Sequence, residues 1–507
     1  MSKKARQRRA ASSVKPASTP AEASLGALVD DKFCDLWGAL AAGDLLAAEL
    51  ETATLMAVPL LAGGLDTFEC ENFVASVVVD LASDRPNPDG AAFLRLLISL
   101  GSPVVKRAAI QALATLTDDG IYPPEWAAPI GKAVPGEAWR AYDVFGDFEV
   151  IVVTFGYGDT EHAILVQVDL TGLPVTLMLA VAQDAAGLIK AIQVEDGPFD
   201  RVEQIHLAQA RRHIEAPLAR CDEDLDPELS VHTIAYLPVA RSRARRLPAD
   251  APPARTFTAA DRAAAVDDFM SSPQAAQAGG TAEAAGAAGS VRFWAEILTG
   301  YSSRVSGESP TQVGPHRLSV IFLAHVPTTF TVSAAQRDQL EPAVTAWIRW
   351  AAARQGLDET ATAYILERLP EVLADFDAAY DDPEYRALRG YRTDLAASDD
   401  DLSQLAGDLA RRGFAVPFPD ERANDETAFL DAGDPANRGV LVTEEFGCCT
   451  PPDGMTSEQF VAAVQRVIGE LWHDDPPACW QTAQRMLADG SSRHEVMHTL
   501  ATQGSEA

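Results

Sequence analysis

The chain lacks any run of eighteen uninterrupted apolar residues, the length a helix needs to span a bilayer. Its first residues, Met1-Ser-Lys-Lys-Ala-Arg-Gln-Arg-Arg9, lack the apolar stretch of a secretory signal. We therefore expect a cytoplasmic protein with no membrane contact. Cysteine is sparse: Cys34, Cys70, Cys221, Cys448, Cys449 and Cys479 show no C-x-x-C spacing, which argues against a zinc ribbon, a thioredoxin-like motif or a disulfide framework. They read as reduced thiols. The adjacent pair Cys448 and Cys449 offers soft-metal or oxidant chemistry, but the simpler reading is two partly buried bystanders. Nucleotide and acyl-transfer signatures are missing too. Gly156-x-Gly158 has no third glycine and precedes a strand rather than a helix, and Gly300-Tyr-Ser-Ser-Arg304 fails the nucleophile elbow at its last position.

Positive charge is scarce: 41 Lys and Arg face 73 Asp and Glu, a formal net charge of -32. Such a body repels nucleic acid and anionic lipid. The exception is residues 1–22, where Lys3, Lys4, Arg6, Arg8, Arg9 and Lys15 precede the first acid, Glu22, among Ala, Ser, Thr and Pro that cannot build a core. This predicts a disordered basic tail and confines any weak RNA or ribosome contact to it.

What is present is core-forming material, 47% hydrophobic residues in a chain of 507, enough for several domains without covalent staples. The periodicity predicts a mainly α protein with a central α+β unit. Residues 23–135 have helical spacing; Ser102 caps a helix with Pro103 at its first position and a stripe of Val105, Ala109, Ala112, Leu113 and Leu116. Within 136–248 the period shortens to that of strands over Trp139–Phe145, Phe148–Phe155, His162–Val168 and Val175–Val181. That is an antiparallel meander, followed by a helix over Leu207–Arg220. Residues 249–290, rich in Ala, Gly, Pro and Gln, read as a flexible linker hiding one helix capped by Thr258 with Asp261. Residues 291–395 and 396–507 read as two further helical domains, with a core helix over Leu340–Arg354 and a longer one over Asp358–Tyr380.

Three stretches, near 149–168, 313–385 (Val313-Gly-Pro-His-Arg-Leu-Ser-Val-Ile-Phe onward) and 474–498 (Asp474-Asp-Pro-Pro-Ala-Cys-Trp onward), resemble a family of uncharacterised actinobacterial proteins. The resemblance implies no activity.

One motif carries chemistry. His494-Glu495-Val496-Met497-His498 has the H-E-x-x-H form, which on a helix puts two imidazoles one turn apart, facing one Zn²⁺, with Glu495 as general base for a metal-bound water. A third ligand is needed, and the few residues after His498 offer none of the usual continuations. The helical hairpin expected over 475–501, with Asp475 as cap, brings His473, Asp475 and Cys479 into consideration as third ligands. Arg493 adds a cation beside the first histidine. We therefore read His494 and His498 as structural, lying at the edge of an apolar face of Val496, Met497, Leu500 and Ala501 and packed on an aromatic such as Trp472 or Trp480. The expectation is an intracellular regulatory protein that binds an unknown protein partner, without catalysis and without a cofactor. The alternative is a zinc-dependent hydrolase.

Overall fold

A computed structural model describes residues 33–503, apart from 62–69, 71, 81–85, 195–196, 224–228, 251–254, 280–284, 306, 393–401, 420–421, 423–426 and 453. The basic tail, with Lys3, Lys4, Arg6, Arg8 and Arg9, lies outside the described residues. The chain divides into two compact units, one of residues 1–144, 148–170 and 174–254, the other of 145–147, 171–173 and 255–507. The described residues are mainly helical, with one five-stranded antiparallel sheet in the middle of the sequence and helices at both ends. Among the described residues no helix is long and apolar enough to cross a membrane.

In the N-terminal unit the early helices start where their sequences cap them. Helix α1 is Leu45–Leu61. Helix α2 (Pro88–Leu100) is capped by Asn87, and α3 (Pro103–Asp118) by Ser102, whose Oγ accepts from the Val105 amide; each has proline in its first turn. Val105, Ala109 and Leu116 are buried in the helical core, as the stripe requires, with Ala112 and Leu113 packed at its margin.

Strands β1 (Val134–Asp143), β2 (Phe148–Tyr157), β3 (Thr160–Asp169) and β4 (Val175–Ala182) form the meander, and a fifth, β5 (Asp200–Ile205), adds beside β1 to give the order β4-β3-β2-β1-β5. The β2–β3 hairpin turns over Gly158-Asp159, with Gly158 at φ +63°, the positive dihedral such a two-residue turn demands. Alternation along β2 and β3 divides two cores. Ile151, Val153, Phe155, Ile164 and Val166 face α5 (Leu207–Glu223) and α6 (Val231–Ala244), whereas Val152, Ala163 and Leu165 face α4 (Ala185–Ile192).

At the end of α6, Arg245 and Arg246 are exposed but Arg243 is not. Arg243 is fully buried, pairs with buried Glu49 of α1, and donates from Nε to Nε2 of buried His162 at 3.0 Å. Tyr157 donates its hydroxyl to Glu49 Oε1 at 2.7 Å. Burial, then the neighbouring guanidinium, push the His162 imidazole down to about 3, so it is neutral and accepts a hydrogen bond from Arg243 Nε. Helical and α+β segments expected as separate domains thus share one ion-paired interior within this unit.

The C-terminal unit overturns the linker reading of 249–290. Helix α7 (Ala259–Met270) has the expected Thr258–Asp261 capping box, but α8 (Pro273–Gly279) follows it directly, and α9 (Ala285–Gly300) starts inside the same stretch. Phe269 sits edge-on to Trp347 and Trp350 at 5.0 and 5.4 Å, both on α10 (Leu340–Gln355). Small residues that look like linker composition let these helices pack closely, and one phenylalanine anchors them. Helix α11 (Glu359–Tyr380), capped by Asp358, and α12 (Pro383–Arg392) continue the unit. It ends in α13 (Leu402–Ala415), α14 (Pro435–Phe446), α15 (Ser457–His473), α16 (Pro477–Ala488) and α17 (Arg493–Gln503). Pro476, not Asp475, occupies the cap position of α16, with no side-chain cap.

Candidate metal centre

Helix α17 buries Val496, Met497, Leu500 and Ala501 in the terminal core, the face expected for it. That leaves His494 and His498 at the margin, one turn apart, with ring centroids 5.3 Å from each other. Both rings pack on aromatics, and these are phenylalanines rather than the tryptophans named as examples. His494 stacks on Phe446 at the end of α14 (5.1 Å, 11° between planes), and His498 lies 4.3 Å from the ring of Phe460 on α15. Trp472 is taken up by Tyr391 and the guanidinium groups of Arg412 and Arg438, and Trp480 by Phe414.

A third donor converges on the two imidazoles, and it is none of those the local spacing suggests. Phe446 ends α14; three residues on, half-buried Cys449 places Sγ 3.6 Å from His494 Nε2. One ligand atom from each of Cys449, His494 and His498 lies within 4.8 Å of the other two. His473 and Asp475 are exposed at the α15–α16 junction. Cys479 is buried in the core, its thiol pushed up to about 11 by burial and then by Glu470. Among the described residues, none of these three belongs to the converging group.

The separation is that of a thiol–imidazole hydrogen bond, and it also suits a shared ion. With Zn–S about 2.3 Å and Zn–N about 2.05 Å at a tetrahedral angle, sulfur and nitrogen stand about 3.6 Å apart. Cys449 Sγ and His494 Nε2 already have this spacing. Burial, and then the adjacent Cys448, raise the Cys449 thiol, and burial, then His494, lower His498. The neutral imidazole is the form that ligates; the thiol must release its proton to solvent as its sulfur binds the metal.

Arg493 does not oppose a cation here as its position in the sequence suggests. Its guanidinium donates to the carbonyls of Phe414 (2.6 Å) and Ala415 (2.9 Å), at the C-terminal end of α13, and pairs with Glu445. Helix-end carbonyls and a carboxylate absorb the charge and pin the start of α17 to the body of the unit. Glu495 is similarly engaged. Its Oε2 accepts from the amide (2.8 Å) and hydroxyl (2.9 Å) of Ser492, while Ser492 Oγ accepts from the Glu495 amide, a capping box that holds the carboxyl below its ordinary range, chiefly through the Ser492 backbone. The residue expected to act as general base serves the helix start.

Cys449 escapes a reading of short motifs because its partner lies 45 positions away. The only local signal was the Cys448–Cys449 pair itself. A second assembly, equally invisible in sequence, is buried Glu149 on β2, which accepts from Arg140 Nε (2.7 Å) and meets His213 Nδ1 (2.9 Å). Burial pushes this carboxyl up, but His213 and Arg140 together outweigh it and leave it below its usual value. It ties α5 to the sheet.

Comparisons of the chain with known protein families, with curated proteins and with solved structures find no match.

Proposed function

We propose that this chain is a regulatory, partner-binding protein without catalysis, and that its C-terminal helices hold a zinc-class ion through Cys449, His494 and His498. The observation that carries the metal reading is the convergence of the three donors, with Sγ and Nε2 at the tetrahedral spacing of a zinc site. The non-catalytic reading draws on Glu495, whose carboxylate is committed to Ser492. Its partner contact belongs to the basic segment with Lys3, Lys4, Arg6, Arg8 and Arg9, which suits RNA or a ribosomal surface. The hydrolase is the second reading, since three protein ligands and an open fourth position also describe catalytic zinc.

Equilibrium dialysis of the full chain against Zn²⁺ tests the site. We expect one ion per chain, lost in Cys449→Ser and in His494→Ala and kept in Cys479→Ser. Loss in Cys479→Ser with retention in Cys449→Ser sinks the ligand assignment.

A further inference from the structure

The number and chemistry of the donors at the terminal site bear on which ion suits it best. We propose that Cys449, His494 and His498 hold monovalent copper in preference to zinc, as a three-coordinate centre. This rests on the metal reading of these three residues.

Donor number is the first reason. Among the described residues the converging group stops at one thiol and two imidazoles. The carboxylates nearby are already engaged: Glu445 pairs with Arg493, and Glu495 closes the capping box with Ser492. Oxygen donors of the kind that hold magnesium, calcium or manganese are therefore not on offer, and a thiolate with two imidazoles suits copper or zinc. Zinc requires a fourth donor to complete its tetrahedron. A singly charged, closed-shell copper ion is satisfied by a trigonal set of soft donors. The 3.6 Å between Cys449 Sγ and His494 Nε2 fits either ion, because opening the angle at the metal from tetrahedral to trigonal lengthens this separation by only about 0.2 Å.

Charge and surroundings separate the two. His494 lies flat on Phe446, His498 packs on Phe460, and Val496 and Met497 between the histidines in sequence are fully buried. The donors thus stand on an apolar floor, with Cys449 and His498 half-buried and His494 exposed on the side from which an ion can enter. One thiolate and two neutral imidazoles neutralise Cu⁺, whereas Zn²⁺ keeps a net positive charge, which is costly against apolar surroundings. The step balances as one thiol plus Cu⁺ giving the neutral thiolate complex and one proton released to solvent.

The test is an anaerobic titration of the metal-free full chain with Cu⁺ in competition with bicinchoninate, a chromogenic Cu⁺ chelator, followed by X-ray absorption at the copper edge. We expect one Cu⁺ per chain, with a first shell of one sulfur and two nitrogens. Cys449→Ser and His494→Ala should each weaken binding at least about tenfold. Cys34→Ser and Cys448→Ser, which remove exposed thiols, should leave it unchanged. One equivalent of Cu⁺ added to the zinc-loaded chain should release the zinc. Zinc that binds but is not displaced by Cu⁺, or a copper shell of four donors, overturns the copper assignment and leaves the three-donor zinc site standing. Copper lost in Cys34→Ser or Cys448→Ser and kept in Cys449→Ser places it on an exposed thiol and overturns the assignment too. If neither ion binds, the three-donor site itself falls.

Discussion

Cys449 Sγ lies 3.6 Å from Nε2 of His494, a residue 45 positions further along the chain. The contact exists because α14 and α17 both pack on α15, which brings the turn after Phe446 beside the first turn of α17. A metal bound there should act as a staple between two segments that otherwise meet mainly through apolar burial. Zinc at about a hundred times its dissociation constant should stabilise the folded chain by about 2.7 kcal/mol, read as a rise in Tm that Cys449→Ser abolishes. No rise in wild type refutes the staple.

Metal binding should weaken in acid. Neutral imidazoles and a thiolate are the ligating forms, and burial, then His494, lower His498, so affinity should fall as pH drops from about 7 to 5 through competition by protons for the donors. Isothermal titration at several pH values measures this, and a flat profile excludes histidine ligation.

Glu495 and Ser492 separate capping from catalysis. Ser492→Ala removes the hydroxyl that accepts the Glu495 amide and should cost about 1 kcal/mol of stability, with zinc stoichiometry unchanged. Glu495→Gln should bind zinc like the wild type. If Glu495→Gln instead abolishes a zinc-dependent hydrolysis measured with ester and peptide substrates, the non-catalytic reading falls.

The buried pair in the N-terminal unit sets a pH dependence of its own. His162 titrates at about 3 when folded, against about 6.5 in an unfolded chain. Above about 6.5 both states are neutral and the stability is fully present. Between those values the unfolded chain takes up a proton that the folded chain refuses, so stability falls as pH falls, by up to about 1.4 kcal/mol per unit. Between pH 7 and 5 the wild type should therefore lose about 2 kcal/mol more than His162→Gln in urea unfolding. Equal losses would show that His162 is not the group responsible.

Phe269 tests the corrected linker. Residues 259–279 should resist mild proteolysis in the wild type. Phe269→Ala should destabilise the C-terminal unit by about 3–5 kcal/mol and open this stretch to cleavage, because it empties a site walled by two tryptophans.

Much of the secondary structure is legible in the residues alone because its causes are local. Ser102 with Pro103, Thr258 with Asp261, and Asp358 mark their helix starts by hydrogen bonds that span three residues. Alternation through 148–168 yields the hairpin, and helical spacing yields the buried face of α17. Strand β5 escapes because Asp-Arg-Val-Glu-Gln-Ile, at a sheet edge, has little apolar alternation to read. The run around 259–290 misleads because alanine carries almost no periodic signal, and its packing depends on tryptophans some eighty positions later. For the site, sequence supplied the two histidines at helical spacing and the idea of a metal. Only the tertiary structure decided that Cys449 joins them, that Arg493 turns its charge to the end of α13, and that Glu495 closes a cap. Each of these depends on helices meeting through a shared core, and no spacing along the chain encodes which distant side chains such a core brings within bonding distance.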